Sequence, residues 1–334
     1  MKVIFNCHVP FMLAHGGAQV QIEQTKAALE QIGVETGFLE WWNEGQRGDI
    51  LHHFCAMPMP LISLAQDKGW KVVITILLTQ QCNRSNRELL LRRVCIRTLM
   101  LAPPRLRARL PWTAFRRCNQ VIVGLEAERQ VLQTVYGTGN KSITVVPLGL
   151  SEAFLRAGPG DRIEHHLICH GRIAPTKNCV ELAQMALAAQ VPVLFVGKPQ
   201  DENSEYWEQF RRLVDNKLVK HHAHVENEAG MINLLQRARG FVLMSRFENW
   251  SLSAHEAAAC GLPLLLSDQR WAHERFGNQA SYFSGQGRQA AVATLRRFYE
   301  QSAISPPPKV RLYSWKEVAV ALRDTYAQLL SPSA

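Results

Sequence analysis

The sequence predicts an α/β fold built from two Rossmann-like, doubly wound domains facing each other across a cleft. Three observations predict it. Short apolar runs alternate with amphipathic stretches along the chain, the signature of β-α units on a parallel sheet. The alternation breaks once, at residues 151–161, where Gly158-Pro159-Gly160 intervenes and a second series begins. The 334 residues, 47% hydrophobic and 20% charged, are enough for two domains that each bury a core.

Taken in order, residues 2–8 read as a first strand. Gly16-Gly17 follows, then a helical stretch from 18 to 31 closed by Gly33. Residues 34–39, 49–54 and 71–77 are further strands. Two more, at 119–124 and 142–146, flank a helix at 126–135. The second series runs strand 165–170, helix 178–189, strand 191–197, helix 206–217, strand 240–244, helix 251–260 and strand 263–267. Ser305-Pro306-Pro307-Pro308 suits neither a helix nor a central strand and reads as a linker into a last helix at 314–330. The expected domains are residues 1–155 and 160–308. Ligands of such sheets sit at the carboxyl ends of the strands, so two facing sheets would share one ligand between them.

The formal net charge of +10 points to an anionic partner, and its distribution is uneven. Between Arg84 and Arg117 there are ten arginines and a single acid, Glu88. The eight cysteines form no Cys-x-x-Cys pair, which fits reduced, buried thiols rather than a zinc site. No signal peptide is read at the N-terminus and no apolar run reaches the roughly 18 residues of a membrane span. A cytoplasmic protein is expected.

Three clusters carry chemistry. Gly171-Arg172-Ile173-Ala174-Pro175-Thr176-Lys177-Asn178 lies between a strand and a helix. Arg172 and Lys177 can converge at the helix N-terminus, where a planar fork and a point cation suit a diphosphate. The competing reading is a solvated loop with two ordinary charges. Glu248-Asn249-Trp250-Ser251-Leu252 leads into a helix N-capped by Ser251 that carries Glu256. Two carboxylates so spaced suit sugar and ribose hydroxyls, unless each pairs locally. The third cluster is His15-Gly16-Gly17, where glycine lets the backbone approach phosphate or sugar, or simply turns the chain. Neither G-x-G-x-x-G nor the P-loop pattern is present, which removes nicotinamide-dinucleotide and P-loop nucleotide binding.

These clusters, in this order, resemble the GT-B retaining glycosyltransferases of glycosyltransferase family four. The segments that carry the resemblance are HGGAQVQIEQTKAALEQIGVE, SITVVPLGL, GRIAPTKN, SRFENWSLSAHEAAACGLPLLLSD and YSWKEVAVALRDTY. The glutamate pair followed by Ala-Cys-Gly-x-Pro is the most specific. The resemblance implies a nucleotide-diphosphate-sugar donor as substrate and no cofactor. Arg172 and Lys177 would bind the diphosphate, Glu256 the ribose and Glu248 the transferred sugar. Amides from Asn249 to Leu252 would lie beside them, and Gly16 and Gly17 would close on the donor. It also implies an acceptor-binding first domain, onto which helix 314–330 packs back. No Asp-x-Asp occurs, in keeping with metal independence.

The chain departs from the family pattern in places. Leu77 stands where a histidine is expected, so His52 or His53 is the alternative near the cleft, unless either is a packed histidine. Trp250 is bulky enough to reshape the sugar pocket. Leu148 replaces the frequent asparagine. The stretch from Arg84 to Arg117 mixes aliphatic residues with arginine. It suits an element lying on anionic lipid at the cytoplasmic membrane face. The rivals are a basic cradle for an anionic acceptor and an ordinary core helix. A nucleic-acid partner is not expected, because no nucleic-acid-binding motif accompanies the charge. The expected function is sugar transfer to a glycan or lipid-linked acceptor in polysaccharide, lipopolysaccharide or glycolipid synthesis. The alternative is a non-catalytic GT-B subunit that supports a partner transferase.

Overall fold

A computed structural model describes residues 1–8, 17–103, 106, 110–139, 142–223, 225, 227–283, 285 and 287–331. Its contacts divide the chain into two units: Met1–Gly149 with Tyr313–Ala334, and Leu150–Leu312.

The first unit is a parallel sheet of β1 (Lys2–Cys7), β2 (Glu35–Phe38), β3 (Ile50–Phe54), β4 (Lys71–Thr75), β5 (Gln120–Val123) and β6 (Ile143–Val145), in the order β2-β1-β3-β4-β5-β6. The second is a parallel sheet of β7 (Leu167–His170), β8 (Val193–Val196), β9 (Val219–His222), β10 (Gly240–Leu243), β11 (Leu264–Leu266) and β12 (Ser281–Tyr282), in the order β12-β11-β10-β7-β8-β9. Strands β3, β5, β10 and β11 are buried along their whole length, as strands covered by helices on both faces must be. Both sheets are doubly wound. Strand order reverses between β1 and β3 in one and between β7 and β10 in the other, and a crevice for ligands opens at such a reversal.

The strand expected at 71–77 ends at Thr75, and Leu77 is 40% exposed beyond it. The helix expected at 206–217 spans only Glu205–Arg211. Asp215 ends any continuation, because its carboxylate accepts from the amides of Lys217, Leu218 and Val219 while Asn216 takes a left-handed conformation. The short edge strands β9 and β12 and the helices Glu228–Arg237, Arg270–Phe276 and Arg288–Ser302 were not anticipated. Helix Glu152–Ala157 packs on helices Glu228–Arg237 and Leu252–Ala259, and so belongs to the second unit. Of the eight free cysteines, Cys55 and Cys95 are exposed rather than buried.

Helix Trp315–Leu330 packs on helix Gly17–Gln31 of the first unit, with Ser314 and Glu317 forming a reciprocal N-terminal cap. Two features fix it there. Gly149 admits the start of the helix, since a Cβ at that position would lie 2.6 Å from the Trp315 amide. Farther along, Tyr326 reaches the fully buried His52. The His52 Nδ1 is 2.6 Å from the Tyr326 hydroxyl and its Nε2 is 2.6 Å from Thr75 Oγ1. Phe54 stacks on the same ring, so His52 is a packed core histidine with both nitrogens in use. His53 is buried edge-on against His8, with ring centres 4.4 Å apart.

Burial pushes the His52 pKa down to about 3, so the folded first unit holds this ring neutral. The unfolded chain takes up the proton near the usual value of about 6.5, so stability is lost as pH falls below that point. Urea unfolding of the first unit should lose about 1.4 kcal/mol of stability per pH unit, from about pH 6 down to about pH 4, on account of His52. His52→Gln should remove that share of the slope; an unchanged slope would mean that His52 is charged in the fold.

Candidate functional site

The candidate site forms where β7 and β10 part. From β7 the chain enters the loop Gly171–Asn178, makes a short 3-10 turn at Pro175–Lys177, and starts helix Cys179–Ala189. From β10 it passes through residues 244–251 into helix Leu252–Ala259, whose first turn is capped by Ser251 Oγ accepting from the Ala254 amide.

The two loops are docked onto one another. The Arg246 amide donates to the Thr176 carbonyl at 2.8 Å, its Nε donates to Asn178 Oδ1 at 2.8 Å, and its guanidinium pairs with Glu181. Lys177 Nζ lies 2.6 Å from Glu248 Oε2 with both side chains mostly buried. Behind them, Gln269 donates to the carbonyls of Ser245 and Arg246, and Ser267 to that of Ser245. Lys177, Glu248, Arg246 and Asn178 therefore share one patch. Arg172 lies on the same loop with its side chain exposed. The helix N-terminus is only partly open, because the Val180 amide already donates to the Tyr206 hydroxyl.

Glu256 faces back toward β7. Its Oε2 is 3.3 Å from Nδ1 of His170, the last residue of that strand. The geometry does not make this a hydrogen bond, and both atoms are buried without a hydrogen-bond partner.

Trp250 does not shape a pocket with its ring. The ring is buried and stacks flat on His255, with centres 4.8 Å apart, while the Arg275 guanidinium covers it at 4.2 Å. His255 Nδ1 lies 2.9 Å from the Ser251 carbonyl, and Arg275 Nε is 3.4 Å from its Nε2. Burial pushes the His255 pKa down to about 3, which leaves the ring neutral with one donor and one acceptor nitrogen. This stack holds the Glu248–Leu252 backbone from beneath; Asn249 and Ser251 are buried and Leu252 is half-buried. Gly17 begins helix Gly17–Gln31 in the first unit, and Gly16 lies outside the described residues.

Sequence reasoning missed Arg246, His170, Arg275 and the role of His255. Only His170 carried a signal, as the polar end of an apolar strand at a β-to-loop transition. Among the described residues, no group of three or more His, Cys, Asp or Glu side chains is arranged to hold a metal ion.

The strand orders and the loops at β7 and β10 define a two-unit α/β protein of the kind that binds ligands at strand carboxyl ends. Residues 164–301 match the family model described as Glycosyl transferases group 1. No curated protein matches the chain in sequence. Three solved structures share the fold over nearly the whole chain. Sucrose-phosphate synthase from Thermosynechococcus elongatus has 15% identity and a TM-score of 0.67, over 99% of this chain and 100% of that one. A glycosyltransferase from Rickettsia africae has 12% identity and a TM-score of 0.64, over 99% of each. Anabaena HepE, solved in complex with UDP and glucose, has 14% identity and a TM-score of 0.59, over 98% of this chain and 99% of that one. The fold is that of the GT-B glycosyltransferases.

Gly197 holds the loop from β8. Its φ is +146°, and a Cβ there would lie 2.1 Å from the Gly171 carbonyl oxygen. Gly197→Ala should destabilise the second unit by about 2 kcal/mol or more in urea unfolding. A change below about 0.5 kcal/mol would show that the β7 loop yields freely.

Proposed function

We propose that the chain transfers a sugar from a nucleoside-diphosphate sugar to a glycan or lipid-linked acceptor, with retention at the anomeric carbon and without a metal ion. The Lys177–Glu248 pair carries this reading: a cation and a carboxylate are held 2.6 Å apart between two docked loops, at the strand-order reversal. The family model matched by residues 164–301 and the UDP and glucose bound to HepE support the donor class.

The chemistry follows from charge. Breaking the bond from the anomeric carbon to the diphosphate leaves growing negative charge on the departing oxygen. Lys177 moves from Glu248 to that phosphate, and the exposed Arg172 adds a planar fork. The dipole of helix Cys179–Ala189 acts in the same sense. Glu248, released from Lys177, accepts from hydroxyls of the transferred sugar. Main-chain amides of Asn249, Trp250, Ser251 and Leu252 line its other side. Glu256 accepts from the ribose, and acceptor binding is assigned to the first unit. Two cations do the work that a divalent metal would otherwise do, and the incoming hydroxyl attacks from the face that the diphosphate leaves, its proton passing to the departing phosphate oxygen. No protein nucleophile is assigned.

Arg172→Ala and Lys177→Ala should each lower kcat/KM for donor turnover by about 100- to 1000-fold. Steady-state transfer assays check this, and full activity in both variants would remove the site assignment. Donor binding without turnover in the unaltered protein would favour the non-catalytic subunit, a reading that Leu77 in place of histidine keeps in view.

The acceptor side points to a membrane surface. Helix Asn86–Leu99 buries Ile96 but leaves Leu90, Leu91 and Val94 on one exposed face, with Leu91 71% exposed. Leu101 and Leu106 extend the apolar surface, and Arg87, Arg97, Arg116 and Arg117 are exposed nearby in sequence. Arg105, Arg107 and Arg109 lie outside the described residues. An exposed apolar stripe with arginine around it suits peripheral contact with an anionic leaflet, here the cytoplasmic face of the inner membrane, in glycolipid or surface-polysaccharide synthesis. Among the described residues, no helix is long and apolar enough to cross a membrane. Sedimentation with vesicles containing phosphatidylglycerol should show salt-sensitive binding. The triple change Leu90→Ser, Leu91→Ser, Val94→Ser should weaken it by about tenfold or more. Equal binding by the variant would exclude this face.

A further inference from the structure

Glu256 does not face its crevice alone. His170 ends β7, immediately before the Gly171–Asn178 loop, and presents Nδ1 to Glu256 Oε2 at 3.3 Å. Each of these atoms is buried and lacks a hydrogen-bond partner. Leaving a buried polar atom unsatisfied is costly, and two such atoms side by side share one remedy. A group that donates to the carboxylate oxygen and accepts from the imidazole N–H would satisfy both at once. A hydroxyl does this, whereas a phosphate oxygen, being an acceptor only, would be repelled by Glu256. The surrounding backbone is fixed: the Gly171 amide donates to the Val196 carbonyl, and helix Leu252–Ala259 is capped at Ser251. Apart from their 3.3 Å approach to each other, the two atoms have no hydrogen-bond partner in the protein.

We propose that His170 is a specificity-determining residue. Together with Glu256 it forms a two-point receptor for one hydroxyl of the donor's ribose, with His170 donating through Nδ1–H to the hydroxyl oxygen whose own proton goes to Glu256. This rests on the nucleoside-diphosphate reading above and adds His170 to it.

The test is calorimetric titration with UDP, GDP and ADP, and with the 2′-deoxy and 3′-deoxy forms of whichever binds. The unaltered protein should prefer the ribonucleotide by about tenfold or more over at least one deoxy form. His170→Val should weaken ribonucleotide binding by about tenfold and leave the deoxy form nearly unchanged, so that the preference collapses. His170→Asn, whose amide nitrogen can stand where Nδ1 stands, should restore much of the preference, and His170→Gln should not. Thermal unfolding without ligand monitors folding in each variant. Equal weakening of ribo and deoxy forms, or an undiminished preference in His170→Val, would overturn the role of His170 while leaving the donor site intact. Failure of all three nucleotides to bind the unaltered protein would overturn both.

Discussion

The docking of the β7 loop on the β10 loop is the constraint on which the rest of the second unit's chemistry depends. Reversal of strand order forces the connections after β7 and β10 to leave the sheet in opposite senses, which opens a crevice between them. Left alone, two eight-residue loops at such a crevice would move independently. Arg246 prevents this by spending its main-chain amide and its guanidinium on the neighbouring loop and helix. The Lys177–Glu248 contact then falls between segments that are already joined. Its geometry comes from the scaffold, and its charges remain available to a ligand that competes for either partner.

Polar groups inside both units are handled the same way. His52 and His255 sit in surroundings that disfavour charge, and each has partners for both ring nitrogens. His52 binds the last helix to the first sheet; His255 holds up the loop that carries Glu248. Neither is placed for proton transfer. His170 Nδ1 and Glu256 Oε2 differ: they lie 3.3 Å apart, and neither has a hydrogen-bond partner.

What could be read from the residues was what is local. Apolar alternation, glycine turns and the Ser251 cap depend on neighbours in sequence, and every strand but the edge strands β9 and β12, the loops carrying Arg172, Lys177 and Glu248 and the helix carrying Glu256 were found from them. Features set by distant partners were not. The helix beginning at Glu205 stops early because the Asp215 side chain folds back on its own backbone, although the residue types would allow a longer helix. Trp250 looked like a pocket wall because a large aromatic next to a glutamate suggests one; its burial depends on Arg275 and His255, contributed by other turns of the fold. Arg246 carried no signal, since nothing in its sequence surroundings names Thr176, Asn178 or Glu181 as partners.

The return of helix Trp315–Leu330 to the first unit sets the order in which the protein is made. The chain leaves the first unit at Gly149 and re-enters it at Tyr313, so the second unit is encoded as an insertion within the first. At roughly 5–20 residues per second, the ribosome adds Tyr326, which meets His52, about one to three seconds after it completes the inserted unit at Leu312. Until then the sheet around β3 waits with one flank uncovered. The half whose synthesis begins first is thus the last to be finished.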